Sequence, residues 1–358
     1  MTIMFLALSF IVGMGFSVQA VDLSVTQGEA LMAEYEDVDL LEEYDLDEPL
    51  RIGASTYGVS AEYMRLWATA FEFHPAYDDL VEITVYDGNY DASVQHSHFE
   101  NMVAEEYDAI IYVPIDVEAG AADVELAHDN DIPVIGSNTL ANSDLYTSYI
   151  GSDDVEGGYM QAKYVAEEIG GEGNVVILEG PIGQSAQIER REGNEKALEE
   201  YPDIEILDMQ TANWSRAEAL TIMEDWLVTY GQDIDGVIGQ NDEMALGAIQ
   251  AIQASGFSPQ EFPTSGIDGI SDALRAVQDG THGLSILQDA RAQAKGALDL
   301  ALRELIGEEY EPLAPAWDMY SDLEWGDDFE ENYWVPWIEV TPDNVGELMS
   351  RRLEITAR

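Results

Sequence analysis

From Arg51 onward the chain alternates short, continuously apolar runs with amphipathic stretches of helical length, and this alternation constrains the fold more than any other feature. LRIGAST, VEITVYD, YDAIIYVPI, IPVIGSNT and SYIGSD read as strands, separated by segments such as AEYMRLWATAFEF and DASVQHSHFENMVAEE that carry helical spacing. The cycle resumes with NVVILEG, IEILDMQTA, GVIGQND, PTSGIDG and GLSILQD. Strands that are apolar along their whole length need cover on both faces, and intervening helices supply it, so the sheets are expected to be parallel. Ten such units are too many for one small sheet. The pattern predicts an α/β protein of two doubly wound, Rossmann-like parallel-sheet lobes, split near Gly151 to Asp154.

Before the first charged residue, Asp22, lies MTIMFLALSFIVGMGFSVQA, an apolar run ending in the small-x-small triplet Val18-Gln19-Ala20. Residues 1–20 read as a secretory signal peptide, although the n-region carries no Lys or Arg; a single membrane anchor is the alternative. Residues 21–49, with VDLLEEYDLDEPL, are acidic, lack a clear apolar face and read as an exposed lead-in with room for one short helix. The chain has no cysteine, which excludes disulfides, a thiolate nucleophile and a lipid-modified cysteine. An exported chain of this kind folds on its hydrophobic core alone.

In open parallel sheets functional groups gather just past the carboxyl ends of strands. That rule selects Asp87 and Asn89, Pro114 to Asp116, Asn138, the loop from Gly180 to Gln184, Asn213 and Trp214, Asn241 and Asp242, Asp268, and Gln288 and Asp289. The set is rich in amides and carboxylates with aromatics beside it, the groups that bond hydroxyls and stack on a sugar or polyol ring. GPIGQS lacks the G-K-[ST] of a P-loop and the third glycine of a dinucleotide fingerprint, so no nucleotide cofactor is expected. Asn241 reads equally as a helix cap or a ligand contact, and Trp214 as a hydrophobic plug or a stacking ring. Arg191 fits a solvated pair with Glu195 or Glu192. His96 and His98, two apart on a helix, point to different faces and do not suggest a metal site. No G-x-S-x-G elbow or H-E-x-x-H is present, so no catalytic residue is nominated.

From about Arg51 to Asn344 the chain resembles the type I periplasmic binding proteins, the sugar- and cyclitol-binding components of ABC importers. The resemblance rests on IPVIGSNT, YIGSDDVEGGYMQAKYV, GPIGQSAQIERREG, TANWSRAEA, GQNDEMALGAIQAIQASG, GIDG, LQDARAQAKGAL and VPWIEVTPDNV, in that order. It implies two lobes joined by three crossovers, near Gly151 to Asp154, Leu287 to Ala290 and Val335 to Ile338. The N-terminal lobe would comprise 50–152 plus 289–334, and the C-terminal lobe 153–288 plus 335–358. Carried over by position, it implies that Arg190 points into the interdomain cleft, that Trp214 stacks on the ligand ring, and that Asn241, Asp268 and Gln288 complete a hydroxyl network. Asn138 follows the IPV strand, and Tyr63 is the matching aromatic wall of the first lobe. Ribose binders carry Asp-Arg where this chain has Asn138 and Thr139, and STYGVSAEYM replaces their S-x-x-N-x-P-F-F, so the match is nearer to cyclitol or polyol binders. The implied protein is an extracytoplasmic, non-enzymatic monomer that delivers its solute to a membrane permease. A receptor serving a chemoreceptor or a sensor kinase is the alternative.

The charge balance limits the partners further. With 14 Lys+Arg against 72 Asp+Glu, the formal net charge is −58. Such a chain repels nucleic acid and anionic membrane surfaces. It also repels itself in dilute buffer, whereas at 1 M salt the screening length falls to about 3 Å. The acidity is therefore expected to serve solubility in a saline compartment. The melting temperature should rise from low to molar salt in a thermal denaturation series, and a fall would contradict this reading.

Overall fold

The computed structural model describes residues 39–356, apart from 78, 322, 327 and 328. The expected signal peptide and the lead-in as far as residue 38 lie outside the described residues. Along the chain the elements are α1 (Leu40–Glu43), β1 (Leu50–Thr56), α2 (Glu62–Ala70), β2 (Val81–Asp87), α3 (Ala92–Ala104), β3 (Ala109–Val113), α4 (Val117–His128), β4 (Val134–Ser137) and β5 (Ser148–Gly151). Next come α5 (Asp154–Glu168), β6 (Glu172–Glu179), α6 (Ser185–Leu198), β7 (Asp203–Thr211), α7 (Arg216–Thr229), β8 (Gly236–Gly239), α8 (Asp242–Ala254), β9 (Thr264–Asp268), α9 (Ser271–Gln278) and β10 (Leu284–Leu287). The chain ends with α10 (Ala290–Ile306), α11 (Ala316–Met319), β11 (Asn332–Trp334), β12 (Ile338–Val340) and α12 (Val345–Thr356).

The strands form two six-stranded sheets, ordered β11-β5-β4-β3-β1-β2 and β12-β10-β9-β8-β6-β7. Every pairing is parallel except β10 with β12. The two-lobed doubly wound class read from the apolar runs is the observed one. The inner strands β3, β4, β5, β8 and β9 are buried at every residue, whereas the outer strands β2 and β7 mix buried and exposed positions. Helices cover both faces of an inner strand; an outer strand has one open side and one open edge. The chain passes between sheets three times, after β5, after β10 and between β11 and β12.

Two features depart from the sequence reading. Ten strands were expected, and β11 and β12 add a sixth to each sheet. At three residues each they are too short to show a period, and only their partners β5 and β10 define them. The lead-in is not wholly exposed either: Leu40 is 1% exposed in the main core, and the Tyr44 ring lies 5.5 Å from that of Tyr310.

The aromatic, acidic segment after α10 folds as a cover on that helix. Asp299 of α10 is fully buried; its Oδ1 accepts from His74 Nε2 (3.0 Å), the Tyr310 hydroxyl (2.6 Å) and Leu313 N (3.0 Å). Its Oδ2 accepts from Ala314 N (2.9 Å) and Trp317 Nε1 (2.7 Å). His74 Nδ1 accepts from Ala76 N, so Nε2 is the ring nitrogen whose N–H faces Asp299. Trp317 in turn packs edge-on against Trp325 at 4.7 Å and Tyr333 at 5.3 Å, with the Arg303 guanidinium 4.7 Å from the Trp325 ring. Trp334, on β11, packs against Tyr149.

Burial alone would raise the Asp299 pKa, but His74 and the other donors outweigh it and hold the carboxyl below the usual range. A carboxylate with a depressed folded pKa contributes stability in full above its unfolded value of about 3.9, and loses it as pH falls through the lower folded value. Asp299→Ala should therefore cost about 3–5 kcal/mol in urea denaturation at neutral pH, since it strands several buried donors. The gap between wild type and Asp299→Asn should narrow as pH falls below about 4. A pH-independent gap would contradict the assignment.

Candidate ligand site between the two sheets

Arg190 is the charged centre of the site. It lies on α6, and α6 reaches α5 closely because both contact points are glycine: a Cβ at Gly158 would meet Arg190 O at 2.2 Å, and one at Gly193 would meet Val155 O at 2.1 Å. That approach sets the Arg190 Nε 2.7 Å from Oδ1 of Asp154, the first residue of α5. Arg190 Nη1 donates to Gln240 O at 2.7 Å, and Nη2 reaches Gln288 Oε1 at 3.5 Å. Burial works against the guanidinium charge, but Asp154 and Asp268 outweigh it, so its pKa lies above the ordinary value and Arg190 stays positive. Its neighbour Arg191 is half-exposed and bonds Glu195 at 2.9 Å, the helical-spacing pair expected for it.

The remaining residues arrive from the carboxyl ends of strands in both sheets. Asn138 follows β4, Trp214 follows β7, Asn241 follows β8, Asp268 ends β9 and Gln288 follows β10, while Tyr63 lies on α2. All seven residues nominated from the sequence, Arg190, Trp214, Asn241, Asp268, Gln288, Asn138 and Tyr63, line one cavity. Each of the seven is at most 6% exposed. Three carry a positive φ: Asn138 at 62°, Trp214 at 57° and Asp268 at 122°. Non-glycine residues held there cost of order 1–3 kcal/mol each, a strain that clusters at functional sites.

One polar network spans the site. The Tyr63 hydroxyl donates to Gln293 Oε1 (2.7 Å) and accepts from Asn138 Nδ2, which also reaches Gln288 Oε1 (3.2 Å). Trp214 Nε1 donates to Gln184 Oε1 at 2.6 Å, and Gln184 Nε2 donates to Pro114 O across the cleft at 3.0 Å. With its N–H consumed, the indole offers the cavity a ring, backed by Gly180, where any Cβ would lie 2.0 Å from Trp214 Cζ2. The Arg190 guanidinium is 5.4 Å from that ring's centre.

Several polar groups that line the cavity are left without a hydrogen bond. Gln288 Nε2 is buried with no acceptor. Asn241 caps α8, its Oδ1 accepting from Met244 N at 3.0 Å, and its Nδ2 remains unbonded; the cap and the cavity wall are the same residue. Asp268 receives no hydrogen bond at its carboxylate, and burial pushes its pKa well above the usual carboxylate range, against the pull of Arg190.

Other candidates from the strand-end rule have structural work. Asp116 and Asp289 cap α4 and α10, Asp87 accepts from Asn89 N, and Asp242 accepts from Ile270 N and Ser285 Oγ. His96 bonds Asp123 at 2.6 Å, and His98 packs against Tyr86, so the two rings do point apart. Gln184, at the end of the loop selected by the strand-end rule, does line the cavity; sequence reasoning passed over Tyr57 as a wall residue, and Asp154 and Gln240 as the supports of Arg190. Tyr57 directly follows β1, so the strand-end rule applies to it; the role of Asp154 has no local signal, because its partner is 36 residues away. None of the described residues in 316–334 lines the cavity.

A two-lobed α/β fold with a polar, aromatic-walled cavity between its sheets defines the class of type I periplasmic binding folds. The family model described as the periplasmic binding protein domain matches residues 52–309, and the chain belongs to that family. A xylitol-binding protein from Mycolicibacterium smegmatis is 35% identical over 265 residues, covering 72% of this chain and 73% of its own. The ribose import binding protein of Bacillus subtilis is 32% identical over 221 residues, 62% of this chain and 70% of its own. The crystal structure of an ABC transporter solute binding protein from Bacillus halodurans with bound myo-inositol superposes with a TM-score of 0.74 at 32% identity, covering 84% of this chain and 98% of that one.

Because the folded Asp268 pKa is raised, its ionisation opposes folding: the favourable contribution is complete below the unfolded value of about 3.9 and lost as pH rises through the folded one. Asp268→Asn should accordingly raise the melting temperature at pH 7 by roughly a few degrees. A lower melting temperature would show that the carboxylate is better satisfied than its surroundings indicate.

Proposed function

We propose that the chain is an exported solute-binding protein that captures a neutral, polyhydroxylated small molecule, a polyol, cyclitol or monosaccharide, and delivers it to an ABC importer. The observation that carries this reading is the leftover set: Gln288 Nε2, Asn241 Nδ2 and the Asp268 carboxylate face one buried cavity beside the Trp214 ring. Vicinal hydroxyls both donate and accept, so one ring could satisfy all three while its C–H face stacks on the indole. Arg190 is already neutralised by its ion pair with Asp154, which favours an uncharged ligand over an acid. What the relatives are named for binding, xylitol, ribose and myo-inositol, falls in the same chemical class.

In this reading the lobes, 50–152 plus 289–334 and 153–288 plus 335–358, close on the ligand about the three crossovers. A ligand lacking one hydroxyl leaves a buried group unpaired, at about 1–3 kcal/mol, and specificity follows from that penalty. Binding without turnover fits a site with no nucleophile and base in contact. Residues 1–20 serve as the export signal, and the closed form docks as a monomer on the permease.

A thermal-shift screen in high salt against xylitol, myo-inositol, pentoses, hexoses and amino acids tests the proposal. Stabilisation confined to polyhydroxylated ligands is expected. Calorimetry with the best of them should show at least tenfold weaker binding for Trp214→Ala and for Arg190→Ala. Stabilisation by amino acids alone, or unchanged affinity in both variants, would refute it.

A further inference from the structure

The lobes also touch each other directly, outside the cavity. Val117 N donates to Gly183 O at 2.9 Å and Leu140 N to Ser185 Oγ at 2.9 Å. A further contact has a different character: Glu62 Oε1 accepts from both the backbone N (2.9 Å) and the hydroxyl (2.7 Å) of Ser271. Glu62 is the first residue of α2, beneath the first sheet's half of the cavity, and Ser271 is the first residue of α9 in the other lobe.

A helix leaves its first four N–H groups without intrahelical partners, and a side chain next to the helix start normally takes one. Helices α3, α4, α5, α7, α8 and α10 follow that rule with Asp91, Asp116, Asp153, Ser215, Asn241 and Asp289. Helices α2, α6 and α9 do not; in α9 the N-cap residue is Ile270, which is buried, apolar and makes no side-chain cap bond. The acceptor for its first N–H comes from the opposite lobe, and it is a carboxylate placed at the positive end of the helix dipole.

We infer that Glu62 is a helix cap donated across the cleft, so that opening the lobes uncaps α9 and the contact biases the protein toward the closed form. The inference rests on the closing-cleft reading proposed above. The latch is joined at both ends to the cavity: Ala61 and Tyr63 flank Glu62 and line the cavity, and Asp268 lies three residues before Ser271. Glu62 thus tunes ligand retention without touching the ligand. A cap of this kind changes an equilibrium by about tenfold, and a ligand that needs the closed form loses affinity by up to the same factor.

The chain has no cysteine, so Glu125→Cys on α4 and Glu224→Cys on α7, both exposed and one in each lobe, accept a donor–acceptor dye pair at those sites alone. Single-molecule energy transfer on the ligand-free protein reads the open-to-closed ratio directly. Glu62→Ala should shift it toward open by about tenfold. Ser271→Ala, which keeps the backbone donor, should shift it less, and Glu62→Gln, which keeps an acceptor oxygen, should recover most of the closed population. Unchanged distributions in Glu62→Ala and Ser271→Ala would overturn the latch, as would Glu62→Gln matching Glu62→Ala or a wild type that is wholly open without ligand. Adding myo-inositol or xylitol to the wild type tests the closing-cleft reading separately: no distance change with any ligand that stabilises the protein would sink that reading, whatever the variants do.

Discussion

The buried ion pair between Arg190 and Asp154 is the contact on which the site depends. Removing two opposite charges from water is costly, and their attraction offsets that cost only when geometry is good and the remaining donors are satisfied. Both conditions hold: the Nε–Oδ1 distance is 2.7 Å, and Gln240 O takes a second guanidinium donor. The geometry exists because glycines at 158 and 193 let α5 and α6 approach backbone to backbone. A larger residue at either position would separate the helices and leave two buried charges facing each other at a distance. From this fixed point the guanidinium lies against Trp214 and within reach of Gln288, the first residue of the crossover that leads back to the other lobe.

Around that centre the protein holds an arrangement it does not need for folding. Asn138, Trp214 and Asp268 occupy positive φ, Gln288 Nε2 is buried without a partner, and burial works against the Asp268 charge. Each of these costs stability. Their convergence on one cavity is what marks it as a site. The direct contacts between lobes, including the cap from Glu62 to α9, limit how far such a strained cavity can open.

Much of this was legible in the chain. The inner strands were readable because burial on both faces favours apolar residues along the strand, which leaves runs such as AIIYV. The site was readable because parallel strands deliver their next residues to one edge, so Asn138, Trp214, Asn241, Asp268 and Gln288 had to be near one another once the topology was known. The resemblance to a known family added Arg190 and Tyr63, which lie on helices and follow no strand-end rule. Strands of three residues, β11 and β12, carry no periodicity and were not readable. The docking of Leu40 and the five-donor environment of Asp299 depend on partners that are distant in sequence or have no motif.

The sequence by itself determined the class of the fold, the order of its elements and the strand ends at which polar groups collect. Those properties follow from local periodicity and from the single handedness of parallel connections. Only the tertiary structure decided which polar groups are consumed and which remain free. Asn241 and Asp242 are adjacent, yet Asp242 is spent on Ile270 and Ser285 while Asn241 keeps a donor for the cavity. The same holds for Arg190 and Arg191, one buried against Asp154 and one paired in solvent with Glu195. A residue's type states which bonds it is able to make; whether a partner stands within about 3 Å is set by how two lobes pack, and no local pattern encodes that distance.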